Sequence, residues 1–264
     1  MKNLFNEELF KGPLKRSPLQ VVIKMLVWLY WVVSLTIATL GAVYVIKKLP
    51  EYGYVILTAF YVVYLLASQV LATRIIEFDL GFQTFFSPAA VFVYPFIAQV
   101  VDMINEVYGE RKTHHSILIA FVTQVLFVLL VGMVSSLSPA PFFELDEAWM
   151  SLFGLSIRIT IASWITFLVC SNLDAWVFAS LKKRFAEKEK QFRHGTVLNP
   201  YVWLRSGASD LVSLSLDSLI FVVIAFYGGP LPVMPLLIGQ LISKNIIGFL
   251  DNPWFVLYKK MLDD

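Results

Sequence analysis

The sequence predicts an all-α fold, a polytopic membrane helix bundle of about seven transmembrane helices. Three observations predict it. Of 264 residues, 58% are hydrophobic and 15% charged, whereas a soluble domain is nearer about 45–50% apolar and about 25% charged. The apolar residues gather into runs of about 20, the length a helix needs to cross a bilayer. The charges gather between the runs, so the net charge of +2 bears on topology rather than on nucleic acid.

The elements follow in order. Residues 1–24 form a polar tail of mixed charge with Pro13 and Pro18. Met25–Ile46 is the first span, stopped by Lys47-Lys48-Leu49-Pro50. It starts late and lacks a small-residue cleavage site, so an uncleaved span is expected rather than a signal peptide. Tyr54 to about Ile76 is the second span, followed by the short loop Glu77–Gln83. Pro88–Gly109 is the third, with Pro95 expected to kink it by removing one backbone hydrogen bond. Ser116–Leu137 reads as a plainly apolar fourth span. Gly154 to about Leu181 is the fifth, followed by the loop KKRFAEKEKQFRHG. Arg205–Tyr227 and Leu236 to about Tyr258 are the sixth and seventh, the last closed by Lys259-Lys260.

Charge orients these spans. Arg111/Lys112, the cluster from Lys182 to Arg193, and Lys259/Lys260 fall on alternate connections, and segments 138–153 and 228–235 carry no Lys or Arg. Positive residues stay inside, so the basic loops and the C-terminus are expected in the cytosol. Lys47 and Lys48 fit the same side. Counting back through seven spans puts the N-terminus outside, against Lys11, Lys15, Arg16 and Lys24 in the tail. Charge and count therefore disagree at the first span.

The third span carries Asp102 and Glu106 one turn apart. A carboxylate at mid-bilayer costs about 2.5 kcal/mol or more, so such residues mark functional interiors. Gln99, Asp102 and Glu106 share one face, being three and four residues apart. The fifth span repeats this with Ser163, Thr166, Cys170 and Asp174, the sixth with Arg205, Ser209, Ser213 and Asp217, and the seventh with Gln240, Lys244 and Gly248. Four polar stripes on apolar cylinders avoid lipid and face a common interior, either as helix ties or as a cavity wall. The carboxylates favour the cavity. Asp210 lies off the stripe and could cap the helix or pair with Arg205. His114 and His115 suit the interface better than a metal. A single cysteine, Cys170, excludes an internal disulfide and a Cys-based metal cluster. No nucleotide, hydrolase or zinc motif is present, so the expectation is a protein with no catalytic residues, metal or cofactor.

Three blocks carry a resemblance: FVYPFIAQVVDMINEVYGERK, IRITIASWITFLVCSNLDAWVFASLKKR and LRSGASDLVSLSLDSLIFVVIAF. Together they resemble the queuosine-precursor transporter family, also called the vitamin-uptake-transporter type, across roughly residues 59–257. The resemblance implies a six-helix core, here 54–260, with 25–46 as an added span in one transmembrane domain, 25–264. It maps the family's acids onto Asp102, Asp174 and Asp217, and its polar residues onto Ser206 and Ser209. It implies uptake of 7-deazaguanine bases, such as 7-cyano-7-deazaguanine, 7-aminomethyl-7-deazaguanine or queuine, for tRNA modification.

The residues suit that substrate. A guanine-like edge offers two adjacent donors, which one carboxylate accepts together in charge-assisted bonds. Asp102 or Asp217 is expected to clamp it, while Glu106 holds a proton or pairs with Lys244 or Arg205. Asn105, Gln99, Ser209 or Gln240 can serve the remaining edges. Tyr94, Phe96, Trp164 and Phe221 are stacking candidates, at about 1–3 kcal/mol per stack. The expected partners are the base and the lipid bilayer of the cell membrane, with no nucleic acid and a possible homodimer. Three other readings stay open: a substrate-binding subunit for a separate ATPase module, a membrane-embedded enzyme using Asp102 and Glu106, and a structural scaffold.

Overall fold

The computed structural model describes residues 18–79, 84–154, 157–192, 195–228 and 233–263, with no side-chain detail for 18–25. The tail 1–17 with Lys11, Lys15 and Arg16, the loop tip 80–83, Arg193 and the connector 229–232 lie outside the described residues. The elements are α1 (Pro18–Lys48), α2 (Gly53–Leu71), β1 (Ile75–Asp79), β2 (Thr84–Pro88), a 3-10 turn (Ala89–Phe92), α3 (Tyr94–Tyr108) and α4 (Glu110–Ser135). There follow α5 (Asp146–Phe153), α6 (Ile157–Gln191), a 3-10 turn (Thr196–Leu198), α7 (Pro200–Phe226) and α8 (Val233–Asp263). Among the described residues six helical segments are long and apolar enough to cross a membrane. The fold is an all-α polytopic bundle, as the composition predicts.

The second and third spans depart from the expectation. The second helix ends at Leu71, and Ile75–Asp79 pairs antiparallel with Thr84–Pro88, Glu77 opposite Phe86. A predicted loop is therefore a hairpin. The third span is not one kinked helix. Pro95 sits in the first turn of α3, where its missing N–H would have had no partner anyway, so it starts the helix. The 15 residues of α3 rise about 22 Å, short of the roughly 30 Å hydrocarbon core. The hairpin and 3-10 turn complete the traverse.

Non-helical backbone at membrane depth is tolerated only where protein covers it. Helices α1 and α8 provide the cover. Trp31 Nε1 donates to the Phe92 carbonyl at 3.0 Å, and Trp28 packs edge-on against Phe78 and Phe92. On α8, Ser243 bonds Ser87 at 2.9 Å. Gly239 meets the Phe86 carbonyl where any Cβ would collide with it. The main core lies on the other side of α3, where Leu57, Tyr61, Val101, Ile104, Phe178 and Phe255 interlock.

Gly109, at φ 79°, turns the chain directly from α3 into α4. The predicted loop after Leu181 is largely the last three turns of α6. Its Lys, Arg, Glu, Ala and Gln residues are strong helix formers, and no Gly or Pro intervenes before Gly195.

Lys47, Lys112, Lys182 and Lys259 gather at one face, with Arg74 and Arg158 at the other. Tyr54 donates to the Lys112 carbonyl at 3.1 Å, Lys182 and Lys259 both reach Glu106, and Lys47 lines a cavity with Glu106 and Lys259. The C-terminal end of α1 therefore shares the face of the C-terminal end of α8, and the Pro18 end lies opposite.

Candidate functional site

Helices α3, α6, α7 and α8 carry polar side chains in three tiers, in matching order along each helix. Tyr94, Asp102 and Glu106 follow one another on α3. On α6 the order is Cys170, Asp174, Lys182, Glu189; on α8 it is Lys244, Asp251, Lys259. Helix α7 runs the other way, so Asp217, Asp210 and Arg205 repeat the sequence in reverse.

The first tier floors a cavity. Lys244, 1% exposed, ion-pairs with Asp217 and lies 3.7 Å from the Tyr94 ring centroid, a cation–π contact. The cavity has an outer section of about 270 Å³ and an inner one of about 60 Å³. Ser68, Tyr94, Ser163 and Phe221 line both sections, which therefore adjoin. The outer section reaches Ser151 and Leu152 of α5, at the face opposite the basic residues. The inner section ends at Asp174 and Asp217.

Several residues that line this space carry a buried polar atom without a partner. The Gln69 and Trp164 N–H groups, the Gln240 and Gln124 side-chain carbonyls and the Thr166 hydroxyl are buried and unbonded, and all five residues line the cavity. A buried orphan costs about 1–3 kcal/mol. Neither section is lined by Lys or Arg among the described residues. The wall thus offers donors, acceptors and carboxylates beside Tyr94, Phe167, Trp164 and Phe221, and no free cation.

The second tier is acidic. Ser206 donates to Asp102 at 2.6 Å, and Ser213 to Asp174 at 3.0 Å. Ser209 donates to the Ser206 carbonyl at 2.9 Å and lies beside Asp174. Asp210 and Asp251, both buried, sit within electrostatic reach of the other two. Among the described residues none of these four carboxyls is ion-paired.

The third tier is an ion-pair network. Arg205, 1% exposed, lies 2.8 Å from Glu106 and 2.6 Å from Glu189. Glu106 also meets Lys182 at 3.1 Å and Lys259 at 3.1 Å. The guanidinium rests between the Phe178 and Phe255 rings at 5.3 and 5.8 Å.

The whole α6 stripe of Ser163, Thr166, Cys170 and Asp174 lines the cavity, as do Tyr94, Trp164, Asp217, Phe221 and Gln240. Asp102, Ser206 and Ser209 lie below it, and Glu106 and Arg205 lower still. Glu106 takes Arg205 and not Lys244, which Asp217 holds. Asp210 does not pair with Arg205, whose partners are Glu106 and Glu189. Phe96 turns away, 5.3 Å from Tyr64, and Asn105 ties α3 to α6 by donating to the Ala175 carbonyl at 2.8 Å. Gln99 is buried outside the cavity lining with its amide nitrogen unbonded.

Four residues were missed. Gln124 is buried on α4 one turn beyond Ala120, in the helix read as plainly apolar. Lys182 and Glu189 were hidden in a supposed loop. The stripe Gln240, Lys244, Gly248 continues one turn to Asp251, but Pro253 reads as a helix end, and α8 instead passes through it.

These features define a class: a multi-pass membrane protein whose bundle encloses a cavity lined by apolar, aromatic and polar side chains. The chain belongs to the vitamin uptake transporter family, because the family model described as "Putative vitamin uptake transporter" matches residues 88–258, well over half of it. It is also similar to a protein named "Probable queuosine precursor transporter" from Bacillus subtilis (strain 168), at 25% identity over 172 residues, covering 64% of this chain and 70% of that protein. No solved structure matches the chain.

Proposed function

We propose that the protein imports queuosine precursors, free 7-deazaguanine bases such as 7-cyano-7-deazaguanine, 7-aminomethyl-7-deazaguanine or queuine, for tRNA modification. The observation that carries this reading is the cavity wall, where five orphaned polar atoms and two carboxylates stand beside aromatic rings. A flat heterocycle with donors and acceptors around its rim satisfies such a wall, and an apolar vitamin tail does not. Asp174 accepts the adjacent ring and amine N–H groups, and the Gln124 and Gln240 carbonyls take further donors. The Trp164 and Gln69 N–H groups meet the ring carbonyl or nitrogen. Among the described residues the wall has no Lys or Arg, which favours a free base over a phosphorylated nucleotide. The name of the Bacillus subtilis relative points to the same substrate class.

Positive residues stay inside, so the basic face is cytosolic, the C-terminus lies in the cytosol and the cavity faces outward across the cell membrane. Residues 54–260 act as the transporting core, with α1 as an added span sealing the hairpin. A homodimer is compatible with this arrangement. The test is uptake of a radiolabelled base into liposomes holding the purified chain alone. Accumulation inside supports a self-sufficient carrier. Binding without uptake would favour a subunit that recruits a separate ATPase.

A further inference from the structure

We propose that the tier centred on Arg205 is the cytosol-side gate of the transport path, closed in this conformation. The proposal rests on the transporter reading but not on which base is carried.

Three observations converge. First, the network joins four of the helices that line the cavity, α3, α6, α7 and α8, at one level. Glu106 comes from α3, Lys182 and Glu189 from α6, Arg205 from α7 and Lys259 from α8. Each lies beyond the acidic tier as seen from the cavity. Second, there is open space on both sides. Above is the cavity ending at Asp174. Below is a separate cavity of about 350 Å³ lined by Lys47, Glu106, Lys259 and Asp263. Glu106 and Lys259 belong to the network and also wall that lower space, so the network lies between it and the acidic tier. Third, the pairing is redundant. Glu106 meets three cations, and Lys259 reaches Glu106, Glu189 and Asp263 at 3.1, 3.6 and 3.1 Å.

Redundant ion pairs suit a gate. Dry, a buried charge held by several partners resists separation. Once the helices part and water enters, each ion is hydrated and the penalty falls. A hydrophobic seal has no such hydrated open state, because parting it exposes apolar surface to water.

Cys170 provides the reporter. It is the one cysteine in the sequence and lines the inner cavity, above the proposed gate. The measurement is its rate of modification by a membrane-impermeant methanethiosulfonate, applied to either face of oriented membrane vesicles with no substrate present. The expected result is reaction from the face of α5 and little from the basic face in the unaltered protein. In the double variant Glu106→Gln/Glu189→Gln, the rate from the basic face should rise at least about tenfold, with reaction from the α5 face unchanged. Should that variant fail to reach the membrane, Lys182→Ala/Lys259→Ala leaves Arg205 paired and should still raise the rate about threefold. Two results would overturn the gate. One is an unaltered protein labelled equally from both faces, or unlabelled from the α5 face. The other is a membrane-inserted variant labelled no faster than the unaltered protein from the basic face. Neither depends on substrate binding, so the gate and the substrate assignment fail separately.

Discussion

Arg205 Nη2 lies 2.8 Å from Glu106 Oε2, a charge pair across α7 and α3 inside a bundle with little water to screen it. Breaking a buried pair by removing one partner is costly, because the other charge is left uncompensated. Arg205→Ala is expected to destabilise the protein by about 3 kcal/mol, at the low end for such losses, since Lys182 and Lys259 still face Glu106. Thermal unfolding in detergent reads this directly. Arg205→Lys should recover only part of the loss, because an ammonium cannot bridge two carboxylates as the guanidinium fork does.

Asp174 and Ser213 test the proposed recognition. A hydrogen bond to a charged group contributes about 1.5–3 kcal/mol, so Asp174→Asn should reduce uptake by about 10-fold to 100-fold with membrane insertion intact. Ser213→Ala, which removes the 3.0 Å bond orienting that carboxyl, should reduce it by a smaller factor. Asp102→Ala is also expected to abolish uptake while inserting normally. Wild-type transport in that variant would take Asp102 out of the mechanism.

Gln124 separates stability from function. Its side-chain oxygen is buried without a partner, so an apolar residue of similar volume removes an orphan. Gln124→Leu should leave thermal stability unchanged or raise it by about 1 kcal/mol. The same change should weaken substrate binding several-fold. A loss of both would mean that the amide serves packing alone.

Gly239 tests the hairpin. Added side-chain atoms at this position would collide with the Phe86 carbonyl, and overpacking costs about 1–3 kcal/mol. Gly239→Ala should lower stability by that amount and loosen β2 from α8, read as faster amide exchange in Thr84–Pro88.

Much of this was legible in the sequence. The bundle followed from run length and charge segregation, because hydrocarbon forces apolar residues outward and ions to the ends. The α6 stripe was visible because Ser163, Thr166, Cys170 and Asp174 keep helical spacing in an otherwise apolar run. What was hidden depended on tertiary cover. Ile75 and Ile76 read as the end of a span, since nothing local says that Trp28 and Trp31 will shelter a hairpin. Lys182 and Lys259 read as topology markers, since their pairing with Glu106 requires three helices to converge. Asp251 was masked by Pro253, because a proline usually ends a helix and here does not.

The central claim is that the cavity above Asp174 binds a free 7-deazaguanine base. Equilibrium binding of radiolabelled 7-cyano-7-deazaguanine to the purified protein, beside Asp174→Asn, tests it most directly. The account predicts saturable binding to the unaltered protein, competed by guanine-like bases and not by their nucleotides, and weakened at least about 10-fold by the substitution. No saturable binding, or equal affinity in both proteins, would contradict it.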